Sequence, residues 1–170
     1  LQANSVDMVI SGMTATEERK QIVDFSDVYC TSSVGCVTKA DSDINSFEDL
    51  QNQIVCCSQG TNYEMMIEDI PGTTLKTYQG QAAVGTAVAE ATDGVAAGLT
   101  SINGAKKLAT TMLDADGNPM LKYFALEGAR ADEYCMAFPN GSELTAIFNE
   151  GIQALKDSGK LEELIQYWLY

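Results

Sequence analysis

One missing residue type limits the chemistry open to this chain more than any residue present. The 170 residues contain no histidine. Neither a Ser-His-Asp nor a Cys-His catalytic arrangement can therefore be assembled from it. A zinc site with His-x-x-x-His spacing is excluded for the same reason. Acid–base work would fall to carboxylates, lysines, tyrosines or thiols. Five thiols are available: Cys30, Cys36, Cys56, Cys57 and Cys135. The number is odd and no Cys-x-x-Cys pair occurs, which weakens a redox or metal reading. Cys56 and Cys57 are adjacent, so in a strand they point to opposite faces and cannot share a site. The five read as small buried hydrophobes, with a Cys30–Cys36 disulfide left open. Asp114-Ala115-Asp116-Gly117-Asn118 hints at a calcium loop, but Pro119 stands where the loop glycine belongs and Ala125 where the bidentate glutamate belongs. A solvated turn is the expectation there.

The elements that must position any site alternate between strand and helix, the signature of an α/β fold. Strands are expected over residues 6–10, 34–38, 54–57, 94–97, 121–126 and 134–138. Helices are expected over 81–91, 101–110, 142–156 and 160–167. Leu144, Ile147, Phe148, Ile152 and Leu155 recur at helical spacing in the third of these. Thr14-Ala15-Thr16-Glu17 and Thr61-x-x-Glu64 both read as capping boxes, each opening a short helix. Tyr167 and Trp168 are expected to pack the last helix. Ten Lys and Arg against 24 Asp and Glu give a net charge of −14. An acidic chain of this kind repels phosphate backbones, so nucleic acid is not an expected partner. A hydrophobic share of 45% supports one domain or two small lobes. No apolar run reaches membrane-spanning length, and the opening residues lack a signal-peptide pattern.

Three stretches together resemble the extracellular solute-binding proteins of amino-acid ABC transporters. The first is Val6-Asp7-Met8-Val9-Ile10-Ser11-Gly12-Met13-Thr14, continuing through Glu18-Arg19 to Val23-Asp24-Phe25-Ser26-Asp27-Val28-Tyr29. The second is Phe47-Glu48-Asp49-Leu50, then Ile54-Val55 and Gln59-Gly60-Thr61-Asn62-Tyr63-Glu64. The third runs from Leu144 to Leu155, then Lys156-Asp157-Ser158-Gly159-Lys160-Leu161 and Tyr167-Trp168. The resemblance implies a two-lobed periplasmic-binding-protein type II fold. Residues 1–39 and 139–170 would form lobe 1, and residues 40–138 lobe 2. It implies a protein that binds a polar amino acid or related small carboxylate and delivers it to ABC permease subunits in the membrane. No cofactor and no metal are implied. The setting would be extracellular or periplasmic, with lipid anchoring of a full-length form left open.

Carried over residue by residue, the resemblance assigns ligand contacts to Gly12, Thr14 and Arg19 in one lobe and to Gly60, Thr61 and Asn62 in the other. The chemistry of these residues suits a carboxylate. Arg19 presents a planar fork that can hold it bidentately. Thr14 adds a hydroxyl, and Gly12 allows close approach of backbone. The simpler roles are helix caps for Thr14 and Thr61, a surface ion pair to Glu17 or Asp24 for Arg19, and a turn for Gly60.

The chain departs from the family pattern twice. It begins after a β-α-β-α section that usually opens the fold, so the first lobe is expected to be incomplete, with exposed apolar surface and a homodimer or strand exchange as a remedy. It also places Gly98 where an acidic residue usually holds the ligand's ammonium, which leaves three alternatives: a ligand without that ammonium, another residue such as Glu90 or Asp132 in its place, or loss of binding. A catalytic homologue resembling cyclohexadienyl dehydratase, with Glu64 or Glu90 as general acid, and a sensing domain of a larger receptor are the rival readings.

Overall fold

Runs of Val, Cys and Thr suit a sheet covered on both faces, because every side chain of such a strand is buried. The computed structural model describes residues 1, 3 and 5–169. The chain divides into two units, one formed by Leu1–Ser32 with Asp132–Tyr170 and the other by Ser33–Ala131. The expected lobe boundaries at Lys39 and Phe138 both fall inside a unit. Lys39 ends a strand of the second unit's sheet, and Phe138 lies in a strand pair of the first.

The second unit is built on a five-stranded sheet. Its strands are β3 (Val34–Lys39), β4 (Ile54–Ser58), β5 (Thr74–Tyr78), β6 (Ala97–Ser101) and β7 (Leu121–Ala125). They stand in the order β5-β4-β6-β3-β7, with β4 parallel to β5 and β6, and β3 antiparallel to β6 and β7. Alternation along the strands sorts side chains into two cores. Val34, Cys36, Val55, Cys57, Ala97 and Leu99 face one, with Tyr63 and Ile67 of α2 (Tyr63–Glu68). Val37 and Cys56 face the other, with Val84 and Val88 of α3 (Gln81–Ala89) and Ala105 and Leu108 of α4 (Ile102–Thr111). Cys56 and Cys57 thus lie in opposite cores, as strand geometry requires.

The strand expected over 94–97 is displaced. Ala91, Asp93 and Gly94 all adopt left-handed φ, at 50°, 51° and 79°, and a 3₁₀ turn occupies Thr92–Gly94. Backbone of that kind cannot enter a ladder; the chain rejoins the sheet at Ala96, whose amide donates to the Ile54 carbonyl at 2.9 Å, and β6 runs from Ala97. β5 was not expected: its polar run Thr-Leu-Lys-Thr-Tyr follows the Pro71-Gly72 break and carries little apolar signal.

In the first unit, β1 (Asp24–Phe25) pairs antiparallel with β9 (Ala137–Phe138), and β2 (Cys30–Ser32) with β8 (Asp132–Tyr134). The single strand expected over 134–138 is therefore two short ones. The strand expected over 6–10 is reduced to one bridge, Val9 to Ala137. Helices α5 (Leu144–Asp157) and α6 (Lys160–Leu169) complete the unit. Met136, Phe138 and Ile152 form its core, and the Phe138 and Phe148 rings lie 5.4 Å apart. Among the described residues, Val6, Ile10, Ile22, Ile147, Leu155 and Leu164 of this unit are exposed. Tyr167 and Trp168, expected to pack, are exposed at 76% and 74% and contact each other edge to face.

Candidate functional site

The segment 11–19 carries the first group of candidates. Here the helix is α1 (Glu17–Lys20), and its N-cap is Thr16, whose Oγ1 accepts a hydrogen bond from the Arg19 amide at 3.3 Å. Thr14, expected to cap, stands two residues earlier. The sequence Thr-x-Thr-Glu offers two hydroxyls for one cap, and the one nearer the helix takes it. Thr14 is thereby released for another partner. Arg19 Nη1 donates to the Thr14 carbonyl at 2.9 Å and to Thr14 Oγ1 at 3.2 Å. The guanidinium and the hydroxyl singled out from sequence are thus brought together, both half-buried.

Gly12, two residues before Thr14, is exposed. A Cβ there would sit 3.4 Å from Tyr134 Cε1, an ordinary van der Waals distance. Protein packing therefore does not demand glycine at this position. The Tyr29 hydroxyl donates to the Ser11 carbonyl at 2.8 Å. Burial, with the Cys30 and Cys135 thiols nearby, pushes the Tyr29 phenol above its usual range and keeps it a donor. Sequence reasoning did not single out Tyr29 or Tyr134 as site residues. Tyr134 is distant in sequence, and only the pairing of β8 brings it here.

The second group lies at the start of α2. The helix is capped at Asn62, not Thr61, and Asn62 makes no side-chain cap bond. The Thr61 hydroxyl turns back to donate to the Ser58 carbonyl at 2.7 Å. The Glu64 carboxylate accepts from the Gly60 amide. The reciprocal pattern of a capping box is therefore half present, with Glu64 reaching back one residue further than expected. Gly60 has a left-handed φ of 77°, so a turn is the local reason for glycine here.

Gly98 faces packed side chains. It lies within β6, and a Cβ on it would meet Val84 Cγ1 at 2.8 Å and Val37 Cγ2 at 3.2 Å. The strand's last residue, where it feeds α4, is Ser101, whose hydroxyl caps the Gly104 amide at 3.2 Å. The residue at the end of this strand is thus a neutral hydroxyl rather than a carboxylate.

No disulfide joins Cys30 to Cys36: all five cysteines are free and buried. Burial, reinforced by the neighbouring Cys57, pushes the Cys56 thiol up to about 12. Burial is also the main reason Cys57 rises to about 11. These are inert thiols. Asp114 Oδ1 accepts from the amides of Asp116 and Asn118, at 2.9 and 2.8 Å. Its carboxylate thus closes a turn, and no metal-holding cluster occurs among the described residues. No helix among them is long and apolar enough to cross a membrane.

The family model of the bacterial extracellular solute-binding proteins, family 3, matches residues 1–170, and the chain belongs to that family. The arginine-binding extracellular protein ArtP of Bacillus subtilis is 34% identical over 176 residues, covering 99% of this chain. The ABC transporter glutamine-binding protein GlnH of the same organism is 30% identical over 174 residues, also covering 99%. The chain spans 65% and 60% of the lengths of these two relatives. The solved arginine-, lysine-, histidine-binding protein ArtJ of Geobacillus stearothermophilus matches with a TM-score of 0.82 at 28% identity. That match covers 99% of this chain and 72% of the solved one.

Proposed function

We propose that this protein captures a polar amino acid or a related small carboxylate and hands it to the permease subunits of an ABC importer. The Arg19–Thr14 contact carries this reading. It places a half-buried guanidinium and a hydroxyl together, two residues along the chain from the exposed Gly12. A carboxylate is the ligand group such a fork recognises best. In the second unit, Thr61 and Asn62 carry a hydroxyl and an amide that the family resemblance assigns to the same ligand, with Gly60 ahead of them. The two units divided at Ser32/Ser33 and Ala131/Asp132 correspond to the two lobes that the family resemblance implies. The relatives named for arginine and for glutamine support an amino-acid ligand. Ser101 at the end of β6 supplies no charge for an ammonium, so this chain holds that group by other residues or takes a ligand without it.

The extracellular family supports function outside the cytoplasm, and a lipid anchor on a longer form suits that setting. Calorimetric titration with L-arginine, L-glutamine and their carboxamides tests the reading. Saturable binding of an amino acid with loss on amidation is expected. Equal affinity for acid and amide would overturn the carboxylate assignment.

A further inference from the structure

We propose that Tyr134 is a positioning residue for the Arg19 anchor, acting through its ring on Gly12 and its backbone on Thr14. The main chain of β8 is held on both sides. Tyr134 pairs with Cys30 of β2 on one side and forms an isolated bridge with Thr14 on the other. The Cys135 amide donates to the Met13 carbonyl at 2.9 Å, and the Tyr29 amide donates to the Tyr134 carbonyl at 3.0 Å. The Tyr134 ring lies alongside Gly12, which stays exposed: Cε1, Cζ and Oη lie 3.4, 3.5 and 3.7 Å from where a Gly12 Cβ would stand. The segment 11–14 is therefore tied at Ser11 by the Tyr29 hydroxyl, at Met13 by the Cys135 amide and at Thr14 by the bridge to Tyr134, whose ring flanks Gly12.

Thr14 is the residue whose carbonyl and hydroxyl both accept from Arg19 Nη1. A shift of this segment moves both acceptors at once, and a guanidinium on a long flexible stem then loses its fixed direction. Oriented binding groups need locked supporting residues, and here the support comes from a distant strand whose Tyr134 both bridges to Thr14 and sets its ring beside Gly12. Tyr134 touches the site's support; it is not offered as a ligand contact. The functional weight of this role rests on Arg19 being the carboxylate anchor.

The test needs no ligand at first. The chain has two arginines, Arg19 and Arg130, so the guanidinium signals of the ¹⁵N-labelled full chain are few, and Arg130→Lys assigns them. In the unmodified protein an ordered, slowly exchanging Arg19 signal is expected. Tyr134→Phe keeps the ring and should keep that signal. Tyr134→Ala should move it to the position and exchange rate of a solvated arginine, with Arg130 unmoved. If Tyr134→Ala collapses both signals, the fold has been lost, and Tyr134→Leu, which retains apolar bulk without the planar ring, decides. An Arg19 signal unchanged in the folded variant overturns the proposal.

Titration with L-arginine and L-argininamide then reads the consequence. Tyr134→Ala or →Leu should reduce the preference for the free acid at least tenfold. A uniform loss for both probes would mark a merely structural effect and overturn the positioning role. An Arg19 signal that depends on Tyr134 in a protein that binds no amino acid would leave the positioning intact and overturn the proposed function instead.

Discussion

Gly98 of β6 and Val84 of α3 approach so closely that a methyl group on Gly98 would lie 2.8 Å from Val84 Cγ1. The contact lets a helix of small residues, Gln81–Ala89, lie down on the sheet. Gly98→Ala should therefore cost about 1–3 kcal/mol of stability by overpacking. Gly98→Asp should cost more by burying an unpaired charge. Urea denaturation measures both. A Gly98→Asp protein as stable as its parent, with tighter ligand binding, would show that this position does face ligand.

Gly12 offers the opposite case. Its missing Cβ has 3.4 Å of clearance, so Gly12→Ala should leave the melting temperature essentially unchanged. Any loss of ligand affinity in that variant then reports the ligand's own approach to the backbone. Unchanged affinity would remove Gly12 from the site.

Arg19→Ala should abolish the proposed carboxylate binding while leaving the fold intact. Losing a partly buried charged contact costs about 2–5 kcal/mol, or about 30- to 4,000-fold in affinity. Calorimetry compared with the melting curve checks it, and affinity held within a few-fold would sink the anchor assignment.

The buried thiols set a pH limit. Cys56 and Cys57 have folded values of about 12 and about 11 against an ordinary value of 9.0. Both states are protonated below pH 9, so these residues have no effect on stability there. Above pH 9 the unfolded chain ionises first, and stability falls as pH rises through the folded values. The urea midpoint should decline between about pH 9 and 11, and Cys57→Val should flatten part of that decline relative to the parent. An unchanged slope in the variant would show that Cys57 does not carry it.

Trp168 is the sole tryptophan and is exposed at 74%. Its fluorescence should be that of a water-exposed indole, quenched by acrylamide in the native protein nearly as well as in urea. A blue-shifted, protected emission would show this face covered in solution.

Much of the second unit can be read from local pattern. β3, β4 and α3 follow from apolar runs of the right length, and the amphipathic spacing of Leu144, Ile147, Phe148 and Ile152 marks α5. What local pattern misreads is where an element starts. Thr14 and Thr16 compete for one cap, and Asp93-Gly94 looks like a strand start until left-handed φ values turn it aside. The Arg19–Thr14 pair lies within one short segment and so could be found. The part played by Tyr134 could not, because β8 reaches segment 11–14 only through pairing across more than 100 residues of chain.

The register of β2 on β8 has a consequence for chain topology. Ser32 pairs with Asp132, so the polypeptide leaves the first unit and returns to it at adjacent points. Residues 33–131 are in that sense a loop with a domain inside it. Both apolar cores of the five-stranded sheet are built wholly from those residues. An insert whose ends meet and whose core is its own can be excised and studied alone, or have its ends rejoined elsewhere, without cutting through a packed interior.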